Sequence, residues 1–155
     1  MEEKFYTSTE AAKITNCSRR QLQYWREKGI IVPTVNTTGK GRNVYYSKAD
    51  LLAVTVMEQL LSIGLNFEVC HAALERLREE EPWLFDPSVT QKQMKRLMFL
   101  TTRSHEPLLQ MAEFDKQVAL EALCQGQTVI PFWCDQIHQQ LKDNLESYVK
   151  QVLML

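Results

Sequence analysis

The stretch FYTSTEAAKITNCSRRQLQYWREKGII, residues 5–31, reads as two short helices joined by a tight turn. Thr9 is the expected cap of the first helix, with Ala11, Ala12 and Ile14 along one apolar side. Asn16 and Cys17 fall where the chain must turn, and Asn tolerates a left-handed backbone. Ser18 then opens a second helix, its hydroxyl free to accept an orphan backbone N–H. That helix is expected over Arg19–Lys28 and ends at Gly29, a C-terminal cap residue. Leu22 faces inward, leaving Arg19, Arg20, Gln23 and Tyr24 to face out. Two arginines at a helix N-terminus oppose the helix dipole, which prefers anions there, and a phosphate or guanine edge would offset the misfit. The arrangement is that of a helix-turn-helix, whose second helix enters the DNA major groove N-terminus first.

Outward from this stretch, Pro33 enforces extended chain before it. The segment TVNTTGKGRNVYYS, residues 34–47, has strand character at both ends and a Gly-rich basic middle. A basic hairpin after a recognition helix is a wing, and Lys40 and Arg42 at its tip are placed to reach the phosphate backbone or the adjacent minor groove. Tyr45 and Tyr46 alternate across the strand, Tyr45 outward and Tyr46 inward. Ser47 and Asp50 form a capping box for a third helix bearing Leu51, Val54, Leu60 and Leu61. Gly64 ends it, Asn66 caps a fourth, and Val69, Ala73 and Leu77 carry an apolar stripe toward Pro82.

Charge is distributed to match. The chain of 155 residues has a net charge of -1, with 45% hydrophobic and 24% charged residues, ordinary values for a globular protein. Residues 1–50 hold nine Lys/Arg against five Asp/Glu, or +4; residues 51–155 hold nine against fourteen, or -5. The basic surplus lies in the half that carries the helix-turn-helix, as a nucleic-acid footprint requires.

These landmarks resemble the winged helix-turn-helix of the MerR family of transcription regulators. The family signature Leu-Arg-Tyr-Tyr or Leu-Arg-Tyr-Trp, followed by Glu and Gly-Leu, corresponds to Leu22-Gln23-Tyr24-Trp25-Arg26-Glu27-Lys28-Gly29-Ile30. The family wing Gly-Tyr-Arg-x-Tyr-Ser corresponds to Gly41-Arg42-Asn43-Val44-Tyr45-Tyr46-Ser47, and the Leu-Gly-Phe-Ser turn to Gly64-Leu65-Asn66-Phe67. Gln23 stands where the family usually has Arg, and Val44 where the wing Arg usually sits, with Arg42 two residues earlier as its substitute. The likeness covers roughly residues 5–80. It implies a regulator that binds double-stranded DNA at an inverted-repeat promoter site as a homodimer, touching DNA through Ser18, Arg19, Arg20, Gln21, Gln23, Tyr24, Lys40, Arg42 and Tyr45. Gln21 or Gln23 is suited to an adenine edge, or alternatively to a phosphate or solvent. Trp25 is expected in the core or against the wing.

Beyond Pro82 the pattern departs from the family, whose long dimerising helix begins about here. Trp83-Leu84-Phe85-Asp86-Pro87 is an apolar linker or docking strap. Residues 97–102 read as a strand, 103–106 as a polar turn, 107–111 as its partner, 114–124 as a helix and 128–133 as a strand, with Pro131 pointing to a sheet edge. Asp135 is the expected cap of a last helix through Val152. The rival reading makes residues 91–125 helical throughout. The expected fold is therefore mostly α with a small β component: a winged helix-turn-helix domain over residues 1–82 and a small α+β module over 83–155 ending in a helix. Ile137, Leu141, Leu145, Tyr148 and Val152 make a stripe on that helix, either packed on its own module or serving as a dimer seam. The module's tail likeness is to some MerR-like or antitoxin-like regulators, with RNA polymerase or another protein as candidate partner. An excisionase-like architectural or antitoxin-like protein is the alternative function.

Cys134 and His138 share a helix face, and Cys70-His71 lie elsewhere, but no compact set of three or four metal ligands appears, so no metal or cofactor is expected. The four cysteines form no CxxC pair. No leader sequence and no apolar run near the ~20 residues of a membrane span is seen, so the expectation is a cytoplasmic protein with reduced thiols. No phosphate loop, dinucleotide fingerprint or nucleophile elbow is present, and an enzyme is not expected.

Overall fold

The structure, a computed structural model, describes residues 3–36, 44–101 and 109–154. The first element, β1 (Tyr6–Thr7), runs directly into α1 (Ser8–Thr15). The cap of α1 is Thr7, not Thr9. The Thr7 hydroxyl accepts from Glu10 N–H at 3.1 Å and the Glu10 carboxylate accepts from Thr7 N–H at 3.1 Å. Of the two threonines only Thr7 has a glutamate three residues on, so only it can close the reciprocal box. Asn16 adopts the left-handed conformation, φ 60°, and turns the chain into α2 (Arg19–Glu27). The helix stops one residue earlier than the sequence suggests, and Gly29 at φ 71° redirects the chain.

Strands β2 (Val35–Asn36) and β3 (Val44–Tyr46) pair antiparallel, and β1 adds on the other side of β3, giving the order β1-β3-β2. The wing tip, including Lys40 and Arg42, lies outside the described residues. The period-two alternation buries Val44 and Tyr46 and leaves Tyr45 exposed. Ser47 and Asp50 form the expected capping box at the start of α3 (Lys48–Ser62). Asn66 caps α4 (Phe67–Glu80) through Val69 N–H at 2.9 Å. Cys70, Ala73, Leu74 and Leu77 are the buried face of α4, while Val69 is half-buried at its margin.

Residues Pro82–Phe85 form a 3₁₀ turn that drives Leu84 fully into the core. A second 3₁₀ turn, Gln91–Gln93, leads to β4 (Arg96–Thr101), β5 (Leu109–Glu113), α5 (Lys116–Cys124), β6 (Thr128–Trp133) and α6 (Cys134–Leu153). The β-β-α-β-α order expected from the sequence is present, and residues 91–125 are not continuously helical. The expected turn at residues 103–106 lies outside the described residues. The sheet order is β5-β4-β6, so Pro131 does sit on an edge strand. Both faces of β4 are covered. Leu97 and Phe99 join the main core beside Ile130 and Phe132, and Met98 and Leu100 meet Ala119 and Ala122 of α5. Two-sided burial explains why Leu97-Met98-Phe99-Leu100 is an unbroken apolar run.

Asp135 does not cap α6. The helix begins at Cys134, two residues earlier than a cap at Asp135 requires, with Trp133 in the cap position and no side-chain cap bond, and Asp135 instead lies 3.5 Å from the Arg96 guanidinium. The α6 stripe packs beyond its own module. Ile137, His138 and Leu141 are buried as α6 crosses α1 and α3. Farther along, Tyr148 donates its hydroxyl to Glu10 of α1 at 2.8 Å, and Val149, Val152 and Leu153 are exposed.

Candidate nucleic-acid interface

Ser18 caps the start of α2. Its hydroxyl accepts from Gln21 N–H at 3.0 Å, and the Gln21 side-chain oxygen accepts from Ser18 N–H at 3.1 Å. Both groups are exposed, but this reciprocal cap occupies the Gln21 oxygen and leaves its amide NH2 as the group facing outward. Below them, Leu22 and Trp25 are each 2% exposed and fix the rotation of α2. With those two side chains inside, the helical period sends Arg19, Arg20 and Gln23 outward. Trp25 belongs to the core, as its size and position suggest.

A concavity of about 380 Å³ opens on this face, lined by Ser8, Arg19, Arg20, Leu22, Gln23, Arg26 and Tyr46. Its chemistry is cationic and hydrogen-bonding, with three guanidinium groups and no carboxylate among those residues. Arg26 is the member that sequence reasoning missed. It donates through Nε to Asn36 Oδ1 at 2.7 Å, so α2 is braced against strand β2 at the base of the wing. Spacing carried the signal: positions 19, 23 and 26 fall on one helical face. Tyr46 closes the floor. Burial pushes its hydroxyl up to about 12, against the lowering influence of Arg26, so it is a neutral donor at any physiological pH.

The other expected contact residues divide. Gln23 donates to Glu27 at 3.0 Å along the helix. Tyr24 is 44% exposed, meets the Phe67 ring edge-on at 5.6 Å and carries the Lys28 ammonium 5.7 Å from its centroid. It therefore bridges α2 to the start of α4 at one end of the face. Tyr45 is exposed on β3 and does not line the concavity.

The support beneath the face is polar and specific. Asp50 accepts from Thr34 N–H at 2.8 Å, Thr34 Oγ1 at 2.7 Å and Ser47 N–H at 2.8 Å, tying the wing's base to α3. Arg78 of α4 donates to the Ile30 carbonyl at 2.6 Å, just after α2. In the turn between the helices, the Cys17 thiol donates to Glu58 Oε2 at 3.6 Å. Burial pushes that thiol up to about 12, which makes it a packing group and not a nucleophile. Cys134 and Cys70 are likewise buried and raised, to about 12 and about 11. His138 is 2.7 Å from the Leu84 carbonyl, which can only accept, so Nε2 carries a proton and donates it there. Among the described residues no three His, Cys, Asp or Glu side chains gather as metal ligands. No helix among them is long and apolar enough to cross a membrane.

Residues 6–77 match the family described as MerR HTH family regulatory protein. Two curated relatives are an uncharacterized HTH-type transcriptional regulator of Mycobacterium bovis, Mb1861, and one of Mycobacterium tuberculosis, Rv1830. Each is 29% identical over 75 residues, which is 48% of this chain and 33% of the relative. The matched region thus spans about a third of the length of those relatives. The match runs from β1 into the last turn of α4 and takes in the winged helix-turn-helix described above, so residues 6–77 form a helix-turn-helix domain of the MerR type.

Proposed function

We propose that this regulator reads double-stranded DNA in a sequence-specific manner, binding an inverted-repeat promoter site as a homodimer. Residues 1–82 are the reading domain, and residues 83–155 serve dimerisation or a protein partner, RNA polymerase among the candidates. Arg19, Arg20 and the glutamine amides face base edges in the major groove, and Lys40 and Arg42 grip the flanking backbone. Tyr24 and Tyr45 border the duplex. The protein acts in the cytoplasm. The observation that carries the reading is the concavity in which Arg19, Arg20 and Arg26 converge with no acidic neighbour among the lining residues.

The homodimer finds support in α6, whose far end exposes Val149, Val152 and Leu153 beyond its contacts with α1. Recovery of genomic fragments bound by the purified protein tests the whole proposal at once. Enrichment of one palindromic promoter motif is the expected result, and recovery without any shared motif overturns it.

A second reading draws on α5. This helix covers the sheet with Ala119 and Ala122 yet exposes Val118, Leu120 and Leu123 to solvent. An apolar outer face suits an architectural or antitoxin-like protein that binds another protein through its C-terminal module. Phased direct repeats in the footprint, or a co-purifying toxin or recombinase, would favour it over the first.

A further inference from the structure

Two clefts run along α6 on residues that the arginine concavity does not use. One, about 330 Å³, lies among the start of α3, the 87–91 segment and α6, with Leu52, Val89, Leu141 and Leu145 among its walls. The other, about 430 Å³, lies between β1 and the last turns of α6, with Tyr6, Leu145 and Val149. They share Lys48, Leu145 and Glu146 and so form one trough. Among the lining residues Lys4, Lys48, Lys142 and Lys150 face one carboxylate, Glu146, while Glu10 stands behind Tyr148, whose hydroxyl it accepts at 2.8 Å. Lys4 is held over the Tyr6 ring, 5.7 Å from its centroid, and Lys48 sits in the first turn of α3, where the helix dipole adds to its charge.

We propose that this trough binds an amphipathic organic anion, an aryl or alkyl chain bearing a carboxylate or sulfonate. An apolar floor with a few well-placed polar groups, within about 300–1,000 Å³, is the usual form of a small-molecule site. Cations bordering a low-dielectric wall attract an anion more strongly than the same lysines on open surface. The floor selects a hydrocarbon body and the rim selects the charge. A neutral analogue satisfies only the first, and inorganic phosphate only the second. The occupant bridges α6 and the start of α3, one residue from Ser47, which with Thr34 and Asp50 anchors the wing. Binding to the trough is independent of the DNA-reading proposal, because no step of its test involves an operator.

The experiment is a titration of the isotopically labelled full chain with 1-naphthoate, followed by amide chemical shifts. Saturable shifts at Lys48, Leu52, Leu145 and Val149 are expected. The neutral 1-naphthalenemethanol should bind roughly tenfold or more weakly, since it forgoes the charge-assisted bonds. A Lys48→Gln/Lys142→Gln variant, altered only at exposed side chains, should lose a similar factor for naphthoate and none for the alcohol. Shifts that never saturate, equal affinity for the neutral compound, or an unaltered double variant would each overturn the proposal. So would a random-sequence duplex moving these same amides where naphthoate does not, which would make the lysines part of a DNA surface.

Discussion

Arg19 and Arg20 occupy the most costly place in a helix for a cation, its first turn, and that turn holds no acidic residue to offset them. A bound anion relieves this misfit, which makes their share of binding readable by substitution. Replacing both with Ala is expected to weaken operator binding by ~1–3 kcal/mol for each guanidinium that bonds a base edge. Anisotropy titrations against operator and scrambled duplexes would measure it, and unchanged operator affinity would remove α2 from the groove. Lys40→Ala should act differently, weakening all duplexes alike and reducing the salt slope by about one. At this scale the sequence is informative wherever burial decides orientation: Leu22 in, the arginines out, Tyr46 in, Tyr45 out. Helical spacing places Arg26 on the face of Arg19 and Gln23 but does not give its partner, because whether its guanidinium turns to solvent or to Asn36 depends on a strand ten residues away.

Among the elements, caps and turns set the boundaries. Ser18, Ser47 and Asn66 are recognisable because a side-chain oxygen stands just before an apolar-periodic run. Thr7 competes with Thr9, and its glutamate partner decides between them. Asp135 misleads because an acidic residue at a strand–helix junction serves a cap or an ion pair equally well, and here Arg96 on the neighbouring strand claims it. Asn16 fixes the angle between α1 and α2 through a left-handed backbone. Asn16→Ala should therefore destabilise the protein by about 1–2 kcal/mol, and Asn16→Gly should not. Urea midpoints for the two variants would check this; equal losses in both would mean that the Asn side chain, not its backbone, matters there.

For the molecule as a whole, the main core is one cluster reaching from Tyr6 to Leu141, and the 3₁₀ turn after α4 plugs into it through Leu84. Sequence periodicity locates the stripe on α6 but not its partner, since a stripe states only that a face is buried. The packing of α6 on α1 and α3 joins residues that lie up to 138 positions apart in the chain. His138 lies at this junction with its proton on the Leu84 carbonyl. Burial holds its pKa below the ordinary 6.5, outweighing the Leu84 hydrogen bond and the Asp86 carboxylate, which both raise it. The unfolded chain therefore takes up this proton at higher pH than the folded one. The stability linked to His138 is fully present above about pH 6.5 and is lost as pH falls below it. Denaturation midpoints from about pH 8 to 5 should fall more steeply for the natural protein than for His138→Asn, and parallel curves would refute the linkage.

One carboxylate, Glu10, accepts from Thr7 at the head of the first helix and from Tyr148 near the tail of the last. Mechanical load applied at the far terminus would reach that shared knot early and begin to unpick the opening turn. Tension entering at the tail is in this way delivered to the opening turn of α1.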